Sequence, residues 1–178
     1  IESASPDSGQ FGSLITISGV SLRGRGNEVV GVTLVGVEAR MVSESDDTVV
    51  VEAAAGPEAK EAGDVILTAD TGATVSTDGI VFTYLRPSKI ASVKPEEGRA
   101  NSRVTIFGFD LCGGGDVVTD VTLADVAAEL ADVTECGIIE VIAAEYGAEV
   151  TGDVKVVSDS GAITVQENAW SYIAEGSI

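Results

Sequence analysis

The strongest constraint in this sequence is that it is written twice. "SPDSGQFGSLITISG" (residues 5–19) returns as "KPEEGRANSRVTIFG" (94–108), with Pro6 set against Pro95 and Gly9 against Gly98, an offset of 89 residues. At that offset Ile15 and Ile17 meet Val104 and Ile106, Gly19 meets Gly108, Leu22 meets Leu111, and Val32-Thr33-Leu34 meets Val121-Thr122-Leu123. Val37 meets Val126, Gly63-Asp64-Val65 meets Gly152-Asp153-Val154, and Gly72-Ala73 meets Gly161-Ala162. One residue drops out near the end, so that Phe82 and Tyr84 pair with Trp170 and Tyr172 at an offset of 88. Self-similarity of this length, almost free of gaps, marks two copies of one domain. The 178 residues give each copy room for a core of its own, and the expected domains are 1–86 and 87–178.

Within each copy the apolar positions recur with period two, the pattern of strands with one buried face. Ile15 and Ile17 face inwards while Leu14 and Thr16 face out, a phase supported by Arg103 standing where copy one has Leu14. Val37, Ala39 and Met41 alternate with Glu38 and Arg40, and Lys155 points outwards between Val154 and Val156. The stretch Thr48–Ala53 gives no single face and its phase stays open. Matching core sites are expected for Ile17 and Ile106, Leu34 and Leu123, Val65 and Val154, and Phe82 and Trp170. Gly, Pro, Asp, Ser and Asn gather in "RGRGNE", "SESDD", "GPEAKEAGD" and "TADTGAT", where backbones reverse. Pro6 lacks an amide for a ladder and ends or offsets the first edge strand, and Gly9 is expected to permit the turn that follows. About seven short strands per copy, with Val, Thr, Ile, Ala and Gly abundant and aromatics few, predict an all-β chain of two antiparallel β-sandwiches.

The order Ile-x-x-x-x-Pro-x-x-Gly, Val/Ile-Thr-Ile-x-Gly, Val-Thr-Leu, Gly-Asp-Val and a closing Phe/Trp-x-Tyr resembles the IPT/TIG domain. That immunoglobulin-like fold occurs in plexins, Rel-type transcription factors and many cell-surface proteins. The resemblance covers nearly the whole of both copies and implies two tandem immunoglobulin-like sandwiches.

Charge narrows the partners. The chain carries 29 acidic and 10 basic residues and no histidine, a net charge of −19, divided as −8 over residues 1–86 and −11 over 87–178. Nucleic acid is disfavoured, because phosphate binding needs Lys and Arg to release counterions, and an anionic membrane is repelled. No apolar run of membrane-spanning length is present, so membrane insertion is not expected. The first residue is Ile1 rather than Met, which suggests a piece of something longer.

No enzyme is expected. Without histidine the commonest general base and much zinc chemistry are gone. The carboxylate pairs Glu96-Glu97 and Asp46-Asp47 lie in turns, whereas acid catalysis needs a buried carboxyl of raised pKa. "LCGGGDVVTD" (111–120) lacks the Lys and following helix of a phosphate loop. Asp110, Asp116 and Asp120 supply oxygens suited to calcium, but their spacing matches no calcium loop, and the plain reading is a flexible connection. No catalytic, cofactor or metal residue is therefore assigned. Phe82, Tyr84, Trp170 and Tyr172 belong to the core, leaving Phe11, Phe109 and Tyr146 as scattered exposed aromatics.

Cys112 and Cys136 are the only cysteines, and both fall in copy two, against Arg23 and Asp47 of copy one. Entering one repeat together favours a disulfide over two separate buried thiols, and with it an oxidising compartment. The join from Tyr84 to Ile90 is short and stiffened by Pro87, the makings of a semi-rigid spacer. The expectation is a non-enzymatic structural or adhesion module of a larger extracellular or cell-surface protein, whose partners are other proteins or neighbouring repeats. A carbohydrate-binding module, a calcium-dependent adhesin and an ancillary domain of a secreted enzyme are the alternatives.

Overall fold

The computed structural model describes residues 1–58, 60–134 and 136–174. Their secondary structure is all-β, in two compact units, the first comprising Ile1–Pro87 with Ser160–Ala162 and the second Ser88–Asp159 with the described residues from Ile163 onwards.

The first unit contains β1 (Ser3–Ser5), β2 (Ser8–Gly9), β3 (Leu14–Ser18), β4 (Val29–Leu34), β5 (Val37–Glu38), β6 (Arg40–Glu44), β7 (Thr48–Glu52), β8 (Glu61–Ala69) and β9 (Thr74–Tyr84). They form two facing sheets, ordered β1-β3-β7-β6 and β2-β9-β8-β4-β5. The second unit repeats this element for element. It has β10 (Lys89–Lys94), β11 (Glu97–Gly98), β12 (Arg103–Phe109), β13 (Val118–Leu123), β14 (Val126–Ala127), β15 (Glu129–Thr134), β16 (Ile138–Ile142), β17 (Val150–Ser158) and β18 (Ile163–Tyr172). Its sheets are β10-β12-β16-β15 and β11-β18-β17-β13-β14. Pairing is antiparallel except where β2 meets β9 and β11 meets β18, which run parallel.

Pro6 and Pro95 mark the point where the first strand leaves one sheet for the other, consistent with an imino residue that cannot serve a ladder. Gly9 has a different task from the turn role its sequence suggests. It lies in β2, and a Cβ there would come within 2.7 Å of Ser13 Oγ. The left-handed turn residue is Gly12, at φ 87°.

Each unit has its own core. Ile17, Leu34, Val65 and Phe82 are fully buried, as are Ile106, Leu123, Val154 and Trp170. Phe82 meets Tyr84 edge to face at 5.2 Å between ring centroids, and Trp170 meets Tyr172 in the same way at 5.7 Å. Leu22 and Leu111 fill the ends of the two cores. Gly19 and Gly108 make room for them, since a Cβ would approach the leucine Cδ2 to 2.8 Å and 2.7 Å respectively.

The strand whose phase was open buries Val49, Val51 and Ala53 in copy one and Ile139, Val141 and Ala143 in copy two. These pairs stand 90 residues apart, not 89. The second copy has one additional residue between the sites of Glu44/Val133 and Asp46/Cys136, and the connection leading to β17 is shorter by one. The true repeat is therefore less nearly gapless than the one-offset alignment implies.

Candidate functional site

The two units are secured by different chemistry at the loop joining the third and fourth strands of each. In copy two, Cys112 and Cys136 form a disulfide with Cα atoms 5.3 Å apart. Leu111 N donates to the Cys136 carbonyl at 2.8 Å, and Leu22 N donates to the Asp46 carbonyl at 2.8 Å. The counterpart of Cys136 is thus Asp46, one residue before the Asp47 that a constant offset selects, because the extra residue precedes it. Copy one joins the same two positions by a hydrogen bond from Arg23 N to Asp46 Oδ1 at 3.1 Å. The Arg23 side chain reaches Glu44 through Nε and an NH2 group, at 3.1 and 2.8 Å. Glu44 also accepts from Val29 N at 3.1 Å. The Arg23 hydrogen bond and the Val29 amide hold the Glu44 carboxyl below its usual range, and the guanidinium pKa is raised in return. Copy two replaces this polar clamp by the cystine and by Val133, which packs on the core at the site of Glu44.

The loop carries backbone hydrogen bonds of its own. Gly113 N donates to the Asp110 carbonyl and Gly115 N to the Cys112 carbonyl, both at 2.7 Å, repeating Gly24 to Ser21 and Gly26 to Arg23. Gly113 and Gly114 take φ of 53° and 87°, where copy one has Gly24 and Arg25 at 53° and 67°. Gly26, the counterpart of Gly115, lies under Asp70 so closely that a Cβ would sit 2.0 Å from Oδ1. Asp70 Oδ1 accepts from Asn27 N at 3.0 Å, and Asp159 Oδ1 accepts from Asp116 N at 3.0 Å. These two aspartates staple the loop in both copies. Their signal was the recurrence of "ADTGA" as "SDSGA" at one offset.

Asp110, Asp116 and Asp120 do not converge. Asp110 opens the loop at φ 53°, Asp116 closes it, and Asp120 lies on β13. Among the described residues no cluster of three metal-ligating side chains is found. The turn carboxylates have structural duties. Asp46 receives Arg23 N, and Lys94 donates to Glu96 at 2.8 Å, holding that carboxyl below its usual range, the reverse of what a general acid needs.

Phe11, Phe109 and Tyr146 are exposed, while Phe82, Tyr84, Trp170 and Tyr172 are buried. Tyr146 leans on Tyr172 with ring centroids 5.3 Å apart. A shallow groove of about 660 Å³ in the second unit is lined by Ala127, Ala128, Ala143 and Ala144 with Glu129 and Glu145. Its lining has no aromatic ring on which a sugar would stack.

Two facing sheets, a first strand divided between them and a closing aromatic pair define each unit as a small immunoglobulin-like sandwich. The family model described as the IPT/TIG domain matches residues 1–84. Residues 1–84 are thus similar to the IPT/TIG domain, and the second half repeats their strands in the same order. The full extracellular region of plexin A4, domains 1 to 10, is similar at 20% identity and a TM-score of 0.58, over 98% of this chain and 15% of that one. A second plexin A4 structure, with domains 1 to 8, aligns at 21% identity and a TM-score of 0.51, over 97% of this chain and 18% of that one. A glucan-utilisation SGBP-B of Bacteroides ovatus aligns over 94% of this chain and 42% of that one, at 13% identity and a TM-score of 0.39. The chain thus spans less than a fifth of either plexin chain, and likeness at this level of identity concerns the fold. No curated protein sequence matches this chain. Among the described residues no helix is long and apolar enough to cross a membrane.

Proposed function

We propose that the chain is a non-enzymatic pair of immunoglobulin-like domains, 1–86 and 87–178, serving as a spacer and protein-interaction segment of a larger extracellular or cell-surface protein. The observation that carries this reading is duplication with separate cores: Ile15, Leu34 and Phe82 close one, and Val104, Leu123 and Trp170 the other. A domain with its own core folds alone, so repetition extends a chain without new folding problems. The cystine suits an oxidising compartment. The acidic surface keeps crowded neighbours soluble.

Two measurements test the proposal. Residues 1–86 and 87–178, produced separately, should each unfold in one cooperative transition near that of the matching unit in the full chain. Aggregation or loss of cooperativity in both pieces would overturn the domain division. The full chain should keep the same unfolding free energy in millimolar calcium or in neutral glucan oligosaccharides. A rise of about 3 kcal/mol or more, the mark of a ligand present at over a hundred times its Kd, would replace the spacer with a calcium or carbohydrate receptor.

A further inference from the structure

The groove of the second unit differs in chemistry from the same place in copy one. Its lining includes Ala127, Ala128, Ala143 and Ala144, with Glu129 and Glu145. Glu129 stands opposite Ile142, where copy one sets Arg40 opposite Glu52 and joins them in an ion pair. The carbonyls of Ala143 and Ala53 accept from Asn101 N and Gly12 N, at 2.8 and 2.9 Å, which makes Glu145 the counterpart of Ala55. Copy one therefore neutralises this corner internally, while copy two lines it with two carboxylates and no cation. Neither Glu129 nor Glu145 forms an ion pair among the described residues, and Lys94 and Arg103 are taken up by Glu96 and Glu140.

Two properties of the groove define what fits it. Alanine methyls offer an apolar bed, roomy enough at about 660 Å³ for a side chain of several methylenes, and the uncompensated carboxylates favour a cation at its end. Lysine and arginine have both parts. The second property belongs to the backbone. Glu129 opens β15, the outermost strand of its sheet, so one side of that strand has no strand neighbour. An extended segment laid beside it meets open N–H and C=O groups, which a free amine cannot pair in a ladder.

We propose that this groove docks an extended, lysine- or arginine-bearing segment of a partner protein, its aliphatic stem on the alanines and its cation at Glu129 and Glu145. The inference names a surface and a partner chemistry that the spacer reading does not require, so its failure would leave the separate-domain and ligand tests of that reading untouched. Exposed ion pairs contribute little. The contact is therefore weak, with a Kd of about 0.1–1 mM for a short peptide, and it strengthens where partners are tethered.

The test is an NMR titration of the full chain with acetyl-Ala-Lys-Ala-Lys-Ala-amide in about 0.05 M salt. The amide signals of Ala127, Ala128, Ala144 and Glu145 should shift, while those of Glu38, Ala39, Ala54 and Ala55, the same places in copy one, stay still. E129Q/E145Q keeps the shape of the groove and removes its charge. It should weaken binding about fivefold or more, with the melting temperature nearly unchanged. E97Q/E167Q makes the same change in net charge on the other sheet of the unit and should bind as wild type does. The peptide with glutamine in place of lysine, and the free diamine putrescine, should each bind about fivefold more weakly or worse. Shifts spread evenly over both units, equal responses from the two double variants, or putrescine binding as tightly as the peptide would overturn the proposal.

Discussion

Asp46 and Cys136 occupy one place in two sandwiches: each offers its carbonyl to a buried leucine amide, from Leu22 and from Leu111, at 2.8 Å. The same corner is then secured by different chemistry, ionic in copy one and covalent in copy two.

That contrast predicts separable responses to a reductant. Opening Cys112–Cys136 frees a 25-residue loop, worth about 3 kcal/mol in the chain-entropy account. Reduction or C112S/C136S should lower the unfolding free energy of the second domain by about 2–4 kcal/mol and leave the first unchanged. Calorimetry that resolves the two transitions checks this, and equal shifts in both would contradict it.

Acid should act on the first domain at the matching corner. The Glu44 carboxyl is depressed in the folded state, first by the Arg23 hydrogen bond. A group with depressed folded pKa contributes stability above its unfolded value of about 4.3 and loses it as pH falls through the folded value. Glu44→Gln should therefore weaken the first domain at pH 7, and the difference from wild type should be smaller near pH 3. Urea titrations at the two pH values read it directly, and a gap undiminished in acid would contradict the assignment.

Trp170 fills the site of Phe82 but brings an indole N–H, and Nε1 has no partner among the described residues. Trp170→Phe should cost less than about 1.5 kcal/mol, because the lost volume is offset by removing a buried unpaired donor. Trp170→Ala should cost about 3–5 kcal/mol. Similar losses in both, measured by chemical unfolding, would reveal a bond that the indole makes.

Gly108 and Gly147 separate close approach from mere turn position. A Cβ on Gly108 would lie 2.5 Å from the Lys89 carbonyl and 2.7 Å from Leu111 Cδ2, whereas nothing lies within 4 Å of one on Gly147. Gly108→Ala should destabilise the second domain by about 2 kcal/mol or more, since backbone has to move. Gly147→Ala should be neutral or gain up to about 1 kcal/mol by restricting the unfolded chain. The opposite ranking would show that the β10–β12 contact is looser than described.

Much of this architecture was legible in the residues. Alternation placed Ile17, Leu34 and Val65 inward, and repetition carried the assignment to Ile106, Leu123 and Val154. What one offset hid was the register around Thr48–Ala53, because a turn in copy two gains a residue that a later connection gives back. The same slip displaced the partner of Cys136 to Asp47. The task of Gly9 was hidden for another reason. A two-residue parallel strand leaves no periodicity, and only the packed position of Ser13 shows why a side chain is excluded. The Phe107–Ile138 pair needed register too, since the two residues are far apart in the chain and meet only across strands.

The short parallel pairings bear on how these domains carry load. Thr83 N and Leu85 N donate to the carbonyls of Asp7 and Gly9, and Ser171 N and Ile173 N repeat this with Glu96 and Gly98. Because the entering and leaving strands run in the same direction, tension applied to the two ends of a domain slides them past each other. Bonds lying across that motion must yield together, not one after another as in a peeled hairpin. Each domain is thus closed by a clasp that resists a pull along the chain more than its few hydrogen bonds would suggest, and the residue that positions it is the proline that opens each repeat.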